Sequence, residues 1–291
     1  MGSKIILLLT LNPDLCYDEY VKKLSALVIS GFLLILLFLP VLHAHASSQQ
    51  AYQDYLYQFD LYRQKYSDFS VAKNAYDKFK TLESESKALS ATKTMLSQRD
   101  LLLHAYLVYL FERVGEQGGI TTVNKQLYQS LLTNELAFLE TQSGLVSSIN
   151  SIDDATTTSE QLESHYDILS ATIDEIIAGI SLGQLNVIYQ NFNLQVTNAQ
   201  NIYIQNSALL GPDKLTTIKN WVQQITSKQT LYQQKIDETT TQITGFSATN
   251  NSTDLGTQFG DVTTKIGQAK QYLSDSIANL GEVVTAMQYK N

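Results

Sequence analysis

The clearest chemistry written into this chain is chemistry done to it. Ala44-His45-Ala46-Ser47 has the small-x-small order of a signal-peptidase site, and it follows an apolar stretch, Leu24 to Leu42, headed by Lys22 and Lys23. A basic n-region, an apolar h-region and an A-x-A element together make a secretory signal. Hydrolysis after Ala46 is expected, leaving residues 1–46 as leader and a body of residues 47–291 that begins at Ser47. Read from Val21, V-K-K-L-S-A-L has the form of an ordinary signal-peptide opening, so residues 1–20 are expected to be a start-site artefact or an unusual leader. The 24–42 stretch also approaches the roughly 20 residues that span a bilayer, so an uncut signal anchor is the alternative. Pro40 and the A-x-A element favour cleavage. In either case the two lysines stay on the cytoplasmic side and everything after Ala46 lies outside.

Residues able to do chemistry of their own are sparse. The body holds two histidines, His104 and His165, and the only cysteine, Cys16, precedes the signal. Without Cys, H-E-x-x-H or histidines paired at helical spacing, no transition-metal site is expected. His104 sits in the apolar run Leu101 to Phe111 and reads as a partly buried core histidine. Asp153-Asp154 and the Asn250 to Asp254 loop offer oxygen ligands but do not follow the calcium-loop pattern. Neither G-x-S-x-G nor G-x-x-x-x-G-K-[ST] occurs, and the carboxylates read as solvated helix faces. No catalytic residue, cofactor or metal is expected.

The tyrosines are more distinctive. Tyr52, Tyr55, Phe59, Tyr62, Tyr66, Phe69 and Tyr76 recur in steps of three and four, with Lys73 as the one break. This is the a/d seam of a long helix. Two readings follow: a wide internal seam with hydroxyls at its edge, or an exposed aromatic stripe that binds a partner helix, a glycan or another copy.

The elements that position these residues are helices. Among 291 residues, 44% are apolar and 16% charged, with only 14 Gly and 3 Pro. So little punctuation, with no strand-like alternation, predicts an all-α fold: an elongated antiparallel bundle or coiled coil of about five long helices. Neither Gly nor Pro occurs between Pro40 and Gly115, which predicts one helix over 48–114, with the seam changing phase near Ala75. Further helices are expected over about 121–150, 159–209, 213–245 and 256–289. The second is expected to turn Val123, Leu127, Leu131, Phe138, Leu145 and Ile149 inward. Polar residues interrupt the seams at Asp100, Gln229, Thr239 and Ser276, and Gly179 and Gly183 mark a kink or a close helix contact.

Removing residues 1–46 takes away Lys4, Lys22 and Lys23 with Asp14, Asp18 and Glu19, so the body keeps the net charge of −8. No basic tract is present, and a nucleic-acid partner is not expected. The first expectation is an exported, non-enzymatic bundle for interaction or scaffolding at the cell surface. It would bind a protein partner or itself through helical seams, and the membrane through residues 24–42 if the signal stays uncut. The alternatives are a ligand-sensing bundle on a signal anchor and an α-helical pore-forming toxin using Leu101 to Phe111.

Overall fold

The computed structural model describes residues 45–244, 246 and 252–288. The signal stretch 24–42, Ala44, Asn250 and Asn251 lie outside the described residues, while Ala46 and Ser47 fall in the first turn of the first helix. The chain divides into two compact units, Met1–Ser47 and Ser48–Asn291. Among the described residues the fold is all-α, with six α-helices: α1 (His45–Phe79), α2 (Leu82–Glu116), α3 (Thr122–Ser148), α4 (Ile152–Asn206), α5 (Pro212–Ile243) and α6 (Ser252–Gln288).

The single helix expected over 48–114 is two helices, which makes six rather than five. The chain turns at Lys80, in the left-handed region at φ 51°, and its N–H bonds back to Tyr76 O at 2.9 Å. Thr81 then caps α2: its Oγ1 accepts the Ser84 N–H at 3.2 Å while Ser84 Oγ accepts the Thr81 N–H at 3.0 Å. Lys78 in the last turn of α1 and Glu83 and Glu85 in the first turn of α2 suit the opposed helix dipoles. The break therefore uses a left-handed cap and a capping box, with neither Gly nor Pro, close to the change of phase near Ala75. Phe79 and Leu82 flank this turn and are exposed.

Within the second unit, α1 and α2 form an antiparallel hairpin, with Tyr52 against Tyr109 at one end and Gln98 Nε2 bonded to Gln58 Oε1 at 2.6 Å further along. α3 runs antiparallel to α2, fixed by Lys93 Nζ on Ile149 O at 2.6 Å and Lys125 Nζ on Gly115 O at 2.8 Å. The turn between them holds Gly119 at φ 78°, and Thr121 caps α3.

α4, 55 residues long, is the common spine. It starts at Ile152 rather than near 159, because Ser151 and Asp154 form a capping box seven residues earlier. Its N-terminal half packs on α2 and α3, and its distal half on α5 and α6. A Cβ on Gly179 would stand 2.5 Å from the Tyr128 ring, and one on Gly183 2.6 Å from Ile120 Cγ1. Both glycines therefore serve close contact with α3 and the turn before it. On another side of α4, Ala171 and Ala178 receive Ile243, Phe246, Leu255 and Val262 from the α5–α6 turn region. Beyond them Leu185, Phe192 and Val196 meet Ile218, Ile225 and Tyr232 of α5 and Ala269, Leu273 and Val283 of α6. Each fully buried Leu or Ile contributes roughly 1.5–3 kcal/mol.

Several inward assignments change. In α3 the buried row is Tyr128, Leu132, Glu135, Leu139, Gln142 and Val146, one residue out of phase with the expected row; Val123 and Leu127 are exposed. Ile188 of α4 faces solvent. The run Leu101 to Phe111 is covered on one side only: Leu102, Leu103, Tyr106, Leu107 and Leu110 are buried, Leu101 is 50% exposed, and His104 is exposed rather than in the core. The last helix begins at Ser252, four residues earlier than expected, with Ser252 and Thr253 already in its first turn.

Candidate functional site

The tyrosine row of α1 lies largely between α1 and α2. Tyr55 and Tyr62 are buried, and Tyr52, Phe59, Tyr66, Phe69 and Tyr76 are half-buried. Tyr55 meets Tyr106 with ring centroids 5.1 Å apart and Tyr52 meets Tyr109 at 5.2 Å, while Tyr62, Tyr66 and Phe69 continue the row along α1. Such tilted pairs add about 0.5–1.5 kcal/mol beyond area burial. Burial pushes the Tyr55 hydroxyl up to about 12. This is the wide internal seam; Tyr55 and Tyr62 are not available to a partner, and the exposed large side chains of α1 are Leu56, Tyr57, Val71 and Phe79 instead.

Behind that seam the bundle buries an unusual number of ionisable groups. Arg99 and Asp100 of α2 are 5% and 3% exposed. Arg99 Nε donates to Asp100 Oδ1 at 3.3 Å and Nη1 to Ser159 Oγ of α4 at 3.3 Å. Arg99 Nη2, Asp100 Oδ2 and Gln142 Oε1 are buried with no partner among the described residues. Gln142 shares this level. It lies two turns before Ile149, which meets Lys93, and two turns after Glu135, which meets His165, so it stands beside Asp100 and Thr158-Ser159. Desolvation raises the Asp100 carboxyl even with Arg99 pulling it down, and Arg99 keeps its charge because a guanidinium does not deprotonate in proteins.

Two turns along, Glu135 Oε2 meets His165 Nε2 at 2.7 Å, and the imidazole stacks on Phe138 at 3.6 Å. Further along α4, Asp174 and Glu175 are buried together. Asp174 acts on the Tyr106 and Tyr166 hydroxyls and Glu175 on that of Tyr128, which is pushed up to about 12 chiefly by burial. Burial also pushes the Asp174 carboxyl up to about 7. Of the four buried carboxyls, Asp100 meets the Arg99 guanidinium and Glu135 the His165 imidazole, while Asp174 and Glu175 lie further along α4. Asp174 is the carboxyl that burial brings to the neutral range. Ser159 Oγ is held by a guanidinium rather than a general base, and among the described residues no group of three or more His, Cys, Asp or Glu is placed to hold a metal ion.

These buried groups leave a trace in the sequence: Asp100 breaks the seam of α2, and a polar residue at a seam position is a buried polar residue. Thr239 and Ser276 obey the same rule but spend their hydroxyls on Lys235 O and Tyr272 O of their own helices. Glu135 and Gln142 fall outside the row expected to face inward in α3, and Asp174 and Glu175 read, with the other carboxylates, as a solvated helix face. α4 with the 3-10 turn after it is the one stretch among the described residues long and apolar enough to cross a membrane, and most of its apolar window is buried, as in the core helix of a soluble bundle. Comparison with protein-family models, with curated proteins and with solved structures finds no match for this chain.

Proposed function

We propose that the chain is an exported, non-enzymatic helical-bundle protein that works by interaction or scaffolding at the cell surface. One observation carries the reading. From Ile176 to Pro212 no Asp, Glu, Lys, Arg or His occurs, yet the outward side of α4 and the turn after it expose Ile188, Leu194, Ile202, Ile204 and Leu209. A chain of net charge −8 has charge to spare for solubility, so a long exposed side with none, dotted with large aliphatics, is the kind of surface that a partner covers. Exposed Asn191, Asn198 and Asn201 lie between the aliphatics and bring donors and acceptors without a charge to desolvate. Export rests on Leu24 to Leu42 and the Ala44-His45-Ala46-Ser47 element. The partner is a protein or a second copy, with the membrane as a further contact where the signal stays uncut.

Light scattering of the purified chain, with cross-linking on intact host cells, tests this. Self-association or a cross-linked surface partner is expected. Both should be lost in Ile188→Lys/Ile202→Lys, which alters only exposed positions. A chain that stays monomeric at high concentration and cross-links to nothing would overturn it.

A second reading, a ligand-sensing bundle on a signal anchor, is favoured by the groove between α4 and α5. The pore-forming reading gains nothing from Leu101 to Phe111, whose Leu102, Leu103 and Leu107 are spent on the internal core.

A further inference from the structure

α5 lies tight against α6 but only loosely against the distal half of α4. The space left between α4 and α5 is a groove of about 800 Å³. Its lining runs from Tyr189 to Gln200 on α4 and from Thr226 to Asp237 on α5, about 17 Å of helix on each side at 1.5 Å per residue.

The chemistry of the lining is narrow. Asp237 is the only charged residue in it, and its Oδ1 already accepts from Gln233 Nε2 at 2.9 Å. Asn193 and Gln229 bond across the groove at 2.7 Å, and whichever way the amides are turned, one NH2 and one carbonyl oxygen stay unpaired. Gln200 and Gln233 stand exposed on opposite walls. The threonine hydroxyls of the lining donate to carbonyls of their own helices, which leaves them as acceptors. One wall is aromatic and fixed: Tyr189 stacks on the buried Tyr232 with centroids 4.3 Å apart and planes at 21°.

A ligand for this groove carries no net charge, because no cation lines it to hold an anion and a lone engaged carboxylate is a poor cation site. It offers donors and acceptors at close intervals, because the amides present both. It also has a flat C–H face for the tyrosine ring. Polyhydroxylated sugar rings meet all three conditions. A peptide fits less well: the groove has neither a sheet edge for backbone pairing nor a row of apolar pockets for side chains.

We propose that the groove between α4 and α5 binds a neutral oligosaccharide a few rings long, with one ring against Tyr189 and hydroxyls paired to the amides of Asn193, Gln200, Gln229 and Gln233. The site shares no lining residue with the interaction surface proposed above.

The test is saturation-transfer NMR and titration calorimetry on the full chain in a sugar-free zwitterionic detergent. The probes are neutral hexasaccharides of glucose, of mannose and of N-acetylglucosamine, with a pool of uncharged hexapeptides as comparison. Saturable binding of at least one hexasaccharide is expected. It should weaken by about tenfold or more in Gln200→Ala/Gln233→Ala, whose positions are exposed and whose fold is checked by circular dichroism. Tyr189→Phe, which keeps the ring, should retain binding. No saturable sugar binding, equal binding by the double variant, or binding of the peptides alone would overturn the proposal.

Discussion

Replacing Asp174 by Asn should make the protein more stable at alkaline pH, an unusual outcome for a substitution deep in a core. The carboxyl moves from 3.8 to about 7 on folding, and burial is the cause. At pH values below 3.8 both folded and unfolded chains hold the proton, and Asp174 has no effect on the balance. As pH rises from 3.8 towards 7 the unfolded chain ionises first, so the folded state loses up to about 1.4 kcal/mol per pH unit. Above about 7 both states are ionised and the loss is constant. The full difference corresponds to roughly 4 kcal/mol, and water reaching the rim of the side chain reduces it to about 2–4 kcal/mol. An amide of the same shape carries the cost of a buried neutral group at every pH but not the cost of the charge. Circular dichroism melts of wild type and Asp174→Asn between about pH 4 and pH 8.5 read this directly. The two should coincide near the acid end, and the variant should melt roughly 5–10 °C higher at the alkaline end. Taking the difference between the proteins cancels the opposing slope from Asp77, Glu83, Asp154, Glu238, Asp261 and Asp275, whose carboxyls sit below their ordinary values beside lysines or backbone N–H groups. A variant equal to or less stable than wild type at about pH 8.5 would refute the reasoning.

Two glycine substitutions should move in opposite directions. Gly179→Ala drives a Cβ to 2.5 Å from the Tyr128 ring and should cost about 1–3 kcal/mol in denaturant melts, whereas Gly260→Ala on α6 meets nothing within 4 Å and should gain roughly 0.5–1 kcal/mol. At the α1–α2 turn, Lys80→Gly relieves a left-handed lysine and should stabilise by up to about 1 kcal/mol, while Thr81→Ala removes the cap and should cost about 1 kcal/mol. Along α2, Leu107→Ala should cost about 2–5 kcal/mol and Leu101→Ala under about 0.5 kcal/mol, and equal losses would contradict the one-sided burial of this run.

The helices were legible where spacing and punctuation agreed. Gly211 and Pro212 set the start of α5, and α2 runs two residues past the expected end at 114, to Glu116 with Gln117 as its cap. The α1–α2 break escaped because its turn is made by a lysine in a left-handed conformation and a Thr/Ser capping box, neither of which reads as punctuation. The phase of α3 escaped because its true core row contains two polar residues, Glu135, whose carboxylate meets His165 of α4, and Gln142. The buried ionisable groups are a product of that packing: Arg99, Glu135 and His165 are far apart in the chain, and only the register of three helices, α2, α3 and α4, brings Arg99 to Ser159 and Glu135 to His165. The α4–α5 groove likewise depends on how loosely two helices meet. Its amide-rich composition is visible in the sequence and its shape is not.

The reading as an exported interaction protein turns most directly on where the chain resides and where it begins. Fractionating host cells into cytoplasm, membrane and medium, with mass spectrometry of the N-terminus in each, measures both. The expected result is a product outside the cytoplasm, either beginning at Ser47 in the medium or retaining residues 24–42 in the membrane with the body accessible to protease from outside. A full-length chain confined to the cytoplasm would contradict it.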